Sequence, residues 1–306
     1  MAAESRRELL ARMMRDAARA TSPLVEQRAS RIRRAFGEEQ AGGSAARAAA
    51  AGRAVSPREV TELARELGLG RHEAAVEAAL RFSLALTIAG RAPGSSRGDA
   101  TELLTLSLEE PLLEGSALSA HRGSLRLGLD DRASWSLRHD PAGAGAHAAH
   151  PLRGGRGIEL AASRELLLPR EWSDEVQALG LDDDGLEAWG RLRSRLAALQ
   201  GRELYAELDG VVSHRWLGLP DDRSGSMPLE CELRAGGLFE QGTPPLAHRQ
   251  AAQLSRRSAR WRLLLQLSPD ERLGWSFGES GERLFVWMRE DDMAHGRFDR
   301  SAAILR

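Results

Sequence analysis

The last forty-six residues, Trp261 to Arg306, restrict the fold more than any other part of the chain, because they consist of short apolar runs divided by turn residues. Trp261 to Leu267 (WRLLLQL) is too short for a typical helix, is interrupted by Arg262 and Gln266, and stops at Ser268-Pro269-Asp270. It reads as a buried strand. Gly274, Gly278 and Gly281 punctuate a turn-rich segment, and Leu284 to Met288, aromatic and aliphatic, reads as a second strand that pairs with the first. Glu290-Asp291-Asp292 places acids where the N-terminal end of a short helix favours them. Ala302 to Leu305 closes the stretch as a further strand. A buried amide without partners costs about 1–3 kcal/mol, so Gln266 is expected to be hydrogen-bonded.

At 306 residues with 42% hydrophobic content, the chain can bury a conventional core in one large domain or two. A formal charge of -1 argues against a protein that coats nucleic acid or an anionic membrane. Every basic side chain other than histidine is arginine, which fits a GC-rich coding background. The single cysteine, Cys231, excludes an intramolecular disulfide and a cysteine zinc cluster, and points to a reducing compartment. The N-terminus lacks the apolar core of a secretory signal, and no run reaches the roughly 18 apolar residues of a membrane span. These features imply a cytoplasmic protein.

Residues 5 to 20 set Leu9, Leu10, Met13, Met14 and Ala17 at helical spacing opposite a row of arginines. Its expected role is docking onto the protein's own surface, with a partner- or membrane-facing helix as the alternative. A second helical segment, 24 to 36, is followed by a low-complexity connector to Gly52. Ser56-Pro57-Arg58-Glu59 is a helix start with a hydroxyl cap, proline at the first position and an acid three residues after the cap. A further helix is expected from Arg71 to about Ala89. The pair, over 56–89, has the outline of a helix-turn-helix, but Arg71, His72 and Arg81 are few contacts for DNA, and a packed helical hairpin is preferred.

After a linker at 93–98 the texture turns to strand: Leu103 to Leu108, Gly123 to Leu129, Trp135 to Leu137 and Ile158 to Leu168. Ser173 caps a short helix. Asp182 to Asp184 start a longer one, with Leu186, Trp189, Leu192, Leu196 and Leu199 on one face and Gly201 just past its end. Leu104-Thr105-Leu106-Ser107 resembles Leu265-Gln266-Leu267-Ser268, and Gly123 to Leu127 resembles Gly281 to Phe285. Paired acids follow each, a weak internal repeat. The expected class is α+β, a mainly antiparallel sheet of two related halves with inserted helices over 95–306, preceded by an N-terminal helical extension over 1–94.

The C-terminal stretch resembles the YwqG-like domain family, an uncharacterised bacterial family. Trp261 to Leu267 matches its Trp-x-Leu-Leu-Leu-Gln strand, and Phe277-Gly278-Glu279-Ser280-Gly281 its glycine turn. Leu284 to Trp287 matches its aromatic strand, and Asp292-Met293 with Arg297-Phe298-Asp299 its closing segment. Upstream, His214-Arg215-Trp216-Leu217-Gly218-Leu219-Pro220-Asp221 is similar to the family's His-x-x-x-Gly-x-Pro motif, and Met227 to Leu233 to the strand after it. The resemblance spans roughly 100–306 and is clearest at 211–233 and 261–306. Glu279 stands where the family has aspartate, and Arg223 to Ser226 replace a stretch that commonly carries glutamine. It implies a fold more than a reaction.

Candidate chemistry is sparse. His139, His147 and His150 with Asp140 form a histidine cluster whose spacing matches no helix or hairpin ligand pattern, so neither metal nor other cofactor is expected. His214 reads either as a structural histidine that fixes its turn or as a general base oriented by Asp221 or Asp222. Cys231 reads as a small apolar residue of a strand. Trp275, Phe277 and Trp287 read as core, or as the floor of a cleft whose polar contacts are Gln266, Glu279 and Arg262. Three functions follow. The preferred one is a non-catalytic module that recognises a protein or peptide through the face carrying His214 and the 275–281 turn, with His214, Asp221, Gln266, Trp275 and Glu279 as contacts. The second is an enzyme of unstated reaction around His214, Asp221 and Glu279. The third is DNA-binding regulation through 56–89.

Overall fold

The computed structural model describes residues 53–91, 102–108, 111–129, 135–141, 152–154, 158–202, 213–221, 227–238, 248–277 and 282–306. The N-terminal segments 5–36, the linker 93–98, His147, His150, Asp222 and Glu279 lie outside these residues. The described strands are β1 (Arg81–Arg91), β2 (Glu102–Ser107), β3 (Ser124–Leu129), β4 (Trp135–Asp140), β5 (Leu152–Gly154), β6 (Ile158–Leu167), β7 (His214–Trp216), β8 (Trp261–Leu267), β9 (Leu284–Arg289) and β10 (Ala302–Leu305). The described helices are α1 (Pro57–Glu66), α2 (Glu73–Ala79), α3 (Asp174–Gln177), α4 (Asp183–Leu199), α5 (Met227–Ala235), α6 (His248–Ser258) and α7 (Glu290–Ala294). The fold is α+β.

The strands join into one sheet, β10-β9-β8-β7-β1-β6-β5-β2-β3-β4, antiparallel at every pairing. β1 and β6 lie at its centre, and the meanders β2-β3-β4 and β8-β9-β10 hold corresponding places at its two ends. Those ends return to each other: β4 meets β10, and the turn at Phe298–Arg300 packs on β4. Phe298 sits edge-on to His139 and His121, with ring centroids 5.0 and 5.4 Å away. The sheet therefore curls around one core. Alternation decides which residues enter it, since successive side chains of a strand point to opposite faces. Leu84, Leu104, Leu106, Leu125, Leu127, Leu160, Trp216 and Val286 all face inward.

The outer face is covered by helices in two places. α1, α2 and α4 pack Val60, Ala64, Val76, Trp189 and Leu192 over Leu168 and Val176. Each start is capped as the sequence requires. Ser56 and Glu59 form a reciprocal capping box on α1, Ser173 caps α3, and Asp182 caps α4. Gln200 closes the join of α4 to β6 by accepting from Leu166 N–H at 2.7 Å and donating to Leu166 C=O at 3.0 Å. At the other end, α5 lays Met227 and Cys231 over Trp261, Leu263, Phe285, Trp287 and Ile304. Glu232 of α5 accepts from Trp261 Nε1 at 3.0 Å and Arg289 Nη2 at 2.8 Å.

Two expected elements differ. The helix beginning near Arg71 ends at Ala79, and β1 starts at Arg81. Phe82, Leu84, Leu86 and Ile88 alternate with polar or small residues, a period-two pattern that places this segment in the middle of the sheet. The helix that would enter a DNA groove is thus seven residues long, and the strand just before residue 94 belongs to the sheet rather than to a helical extension. Met227 to Leu233, expected as a strand, lies in helix α5. Met227 and Cys231 are four apart on one buried face, while Glu230 and Arg234 pair at the same spacing at 2.6 Å.

Candidate functional site

Adjacent residues of β7 build two separate polar clusters, because His214 and Arg215 project to opposite faces of the sheet. β7 is wedged between β1 and β8, with Arg215 beside Ala85 and Gln266 and with Trp216 beside Leu84 and Leu265. All three residues of β7 are buried.

His214 turns inward. Its Nδ1 accepts from the backbone N–H of Ser268 at 3.3 Å, which leaves the proton on Nε2, 3.2 Å from Asp270 Oδ2. Asp270 also accepts from Arg272 N, Nε and Nη2 at 2.9, 3.0 and 2.7 Å. Asp270 and Trp275 exchange backbone hydrogen bonds of 3.0 and 2.9 Å, closing the turn between them. The Trp275 ring stands edge-on to the imidazole with centroids 4.9 Å apart. Burial pushes the His214 imidazole below its usual pKa against the opposing pull of Asp270, so the ring is neutral. Hydrogen bonds from Arg272 first, and from His214, hold the Asp270 carboxyl down at about 2.

Arg215 turns outward. Its Nη1 donates to Asp221 Oδ1 and to Leu219 C=O, each at 2.7 Å. Asp221 and Gln266 then bond reciprocally: Asp221 N–H donates to Gln266 Oε1 at 2.8 Å, and Gln266 Nε2 donates to Asp221 Oδ2 at 2.6 Å. Burial alone would raise the Asp221 carboxyl, but the adjacent Arg215 charge outweighs it and holds the group well below the usual range. The turn carrying Asp221 has Leu217 at φ 64° and Gly218 at φ 92°. A Cβ on Gly218 would lie 2.7 Å from Ser83 Cβ, so only glycine lets the turn approach β1 this closely. Glu165 is buried nearby with Oε2 3.0 Å from Arg202 Nη1, an ion contact without hydrogen-bond alignment. Desolvation pushes its pKa up.

The residues expected to share a site are thus divided. His214 and Trp275 lie on the inner face, Asp221 and Gln266 on the outer one, and Asp270 rather than Asp221 orients His214. The tryptophans are divided as well: Trp275 and Phe277 join the central core, whereas Trp287 lies under α5, and Arg262 pairs with Glu290 at 3.1 Å. They do not floor one cleft, and a bulge between Leu263 and Leu265 shifts the parity of β8 and sends Gln266 to the outer face, away from Trp275. Gln266 is fully buried and hydrogen-bonded, as its position requires. Arg215, Asp270 and Arg272 did not stand out in the sequence. For Arg215 a signal was present, since alternation after an inward His214 places an arginine outward beside the amide of β8.

Cys231 is buried on α5, and desolvation raises its thiol to about 12. His139 Nε2 lies 2.9 Å from Arg122 C=O, and Asp140 accepts from Arg126 at 3.3 Å. Among the described residues no group of three or more histidine, cysteine or acidic side chains is placed to hold a metal, and no helix is long and apolar enough to cross a membrane.

Residues 182–306 match the model of a family described as Domain of unknown function (DUF1963). The matched region begins at the cap of α4 and includes β7 and both polar clusters except Ser83 and Glu165. No curated protein matches the chain.

Proposed function

We propose that the protein is a cytoplasmic, non-catalytic binding module that recognises a protein or peptide partner through the face carrying His214 and the turn after Asp270. The observation that carries this reading is the state of His214: both ring nitrogens are engaged, and the ring is buried and neutral. A general base needs an unshared nitrogen within reach of substrate. Asp221, the other acid–base candidate, is on the far side of the sheet and clamped by Arg215 and Gln266. What the His214 cluster does accomplish is to fix a turn whose outer residues, Glu271, Arg272, Gly274 and Ser276, are exposed. The Arg272 guanidinium is 67% exposed yet held by Asp270. Such a pre-positioned group costs a partner little ordering entropy.

The YwqG-like kinship belongs to the same proposal. The motifs that carry it, at 211–233 and 261–306, fall inside the matched region 182–306. The relation between the two halves is also proposed, supported by the similar segments lying on β2-β3 and β8-β9, which hold corresponding places in the sheet.

The test is a photo-crosslinking amino acid placed at exposed Ser276 of the full chain, with the same group at exposed Glu187 on α4 as control, in cells of the source organism. A discrete adduct is expected from position 276 and is lost on Arg272→Glu. Equal labelling from both positions, or an adduct indifferent to Arg272→Glu, overturns the reading.

A further inference from the structure

Glu165 stands where three parts of the fold meet. It lies on the outer face of β6, directly across from Ser83 of β1. The turn after β7 lies over the same place: Ser83 Oγ donates to Leu217 C=O at 3.1 Å, and a Cβ on Gly218 would come within 2.9 Å of Leu167 Cδ1. Leu167, two residues beyond Glu165, shares its face. From the third side comes Arg202, whose backbone N–H is fixed to Ala197 C=O of α4 at 2.9 Å.

The charged groups that act on Glu165 from these elements are Arg202, Arg215 and Asp221. The two carboxylates fare differently. Asp221 accepts from Arg215 at one oxygen and from Gln266 at the other. Glu165 is 6% exposed, meets Arg202 only as an ion contact at 3.0 Å, and its Oε2 has no hydrogen-bond partner. Burial pushes its carboxyl above the ordinary 4.5; Arg202 and then Arg215 oppose the rise, and the Asp221 charge adds to it. Ionisation therefore puts a second negative charge beside Asp221, under the turn that carries Asp221. A buried carboxylate without hydrogen bonds gains by reaching water, and the seated turn helps to keep water out.

We propose that Glu165 is a proton-operated latch on the turn at 217–221: the protonated carboxyl leaves the turn seated, and the ionised one loosens it by repelling Asp221 and drawing in water. The sign is opposite to that of His214 and Asp270. A carboxyl whose folded pKa is raised supports the closed form fully below 4.5, and that support is lost as pH rises through its folded midpoint. The latch works on the outer face and needs no partner at the 270–277 turn.

The experiment follows two NMR signals of the full chain through one pH series: the side-chain carboxyl carbon of Glu165, and hydrogen exchange of the Asp221 N–H that donates to Gln266. Protection of that amide, corrected for intrinsic exchange, should fall as Glu165 ionises, by about tenfold for each pH unit between 4.5 and the Glu165 midpoint. Glu165→Gln imitates the protonated carboxyl and should hold protection near its acid-side level throughout. Arg202→Gln removes a charge that favours ionisation, so the fall should move to higher pH. A Glu165 midpoint at or below 4.5, protection that does not follow that midpoint, the same fall in Glu165→Gln, or no upward move in Arg202→Gln would overturn the proposal.

Discussion

Gln266 and Asp221 hold each other twice, amide to carboxylate at 2.6 Å and backbone N–H to amide oxygen at 2.8 Å, across 45 residues of sequence. This reciprocal grip ties the turn after β7 to β8, and Arg215 supplies the balancing charge. A buried ion pair on its own is weak evidence for stability, since desolvation offsets attraction. Here the bonds of Arg215, Asp221 and Gln266 all serve to seat one turn against the sheet, so the cluster acts as a clasp.

Replacing Gln266 with leucine removes both bonds and leaves the Asp221 amide and one carboxylate oxygen unpaired in a buried place. A loss of about 2–3 kcal/mol is expected in chemical denaturation. A loss below about 0.5 kcal/mol would show that Asp221 finds other partners without cost.

Gly218→Ala is expected to cost about 3 kcal/mol, the sum of left-handed backbone strain and a methyl forced against Ser83 and Leu167. The same change at Gly180, where φ is also positive but nothing lies within 4 Å, isolates the backbone part and should cost about 1 kcal/mol. Similar losses at both positions would contradict the close approach.

Acid should destabilise the fold in two steps. His214 has a folded pKa below the usual 6.5, so more protons bind the unfolded chain, and its contribution is complete above about pH 6.5 and declines as pH falls below it. Asp270 has a folded pKa of about 2 against 3.8, so its contribution is present above about 3.8 and is lost toward 2. Melting temperature against pH should lose the first step in His214→Gln and keep it in His72→Gln.

The Cys231 thiol, buried with a pKa of about 12, should resist a disulfide reagent at neutral pH and react at once in denaturant. Rapid reaction of the native protein would mean that α5 does not cover β9 as described.

Much of this architecture was legible in the chain. The strands at 261–267, 284–289 and 302–305, the caps at Ser56, Ser173 and Asp182, and the burial of Gln266 follow from apolar runs, turn residues and hydrogen-bond accounting. What escaped has physical causes. The alternation in Phe82 to Ile88 was hidden behind an alanine-rich helix, and the Met227 to Leu233 pattern fits either period over so few residues. The bulge at Leu264 leaves no residue signature, yet it decides that Gln266 and Trp275 face opposite sides. As a general base His214 would look to Asp221 or Asp222, the nearer acids in sequence, whereas the curl of the sheet delivers Asp270.

Long-range proton–nitrogen NMR of the His214 imidazole, followed through an acid titration, tests the structural role of this residue most directly. The expected result is a neutral ring at pH 7 with its proton on Nε2 and a midpoint below pH 6.5. A ring that titrates at or above 6.5, or carries its proton on Nδ1, would free a nitrogen for chemistry and contradict the non-catalytic account.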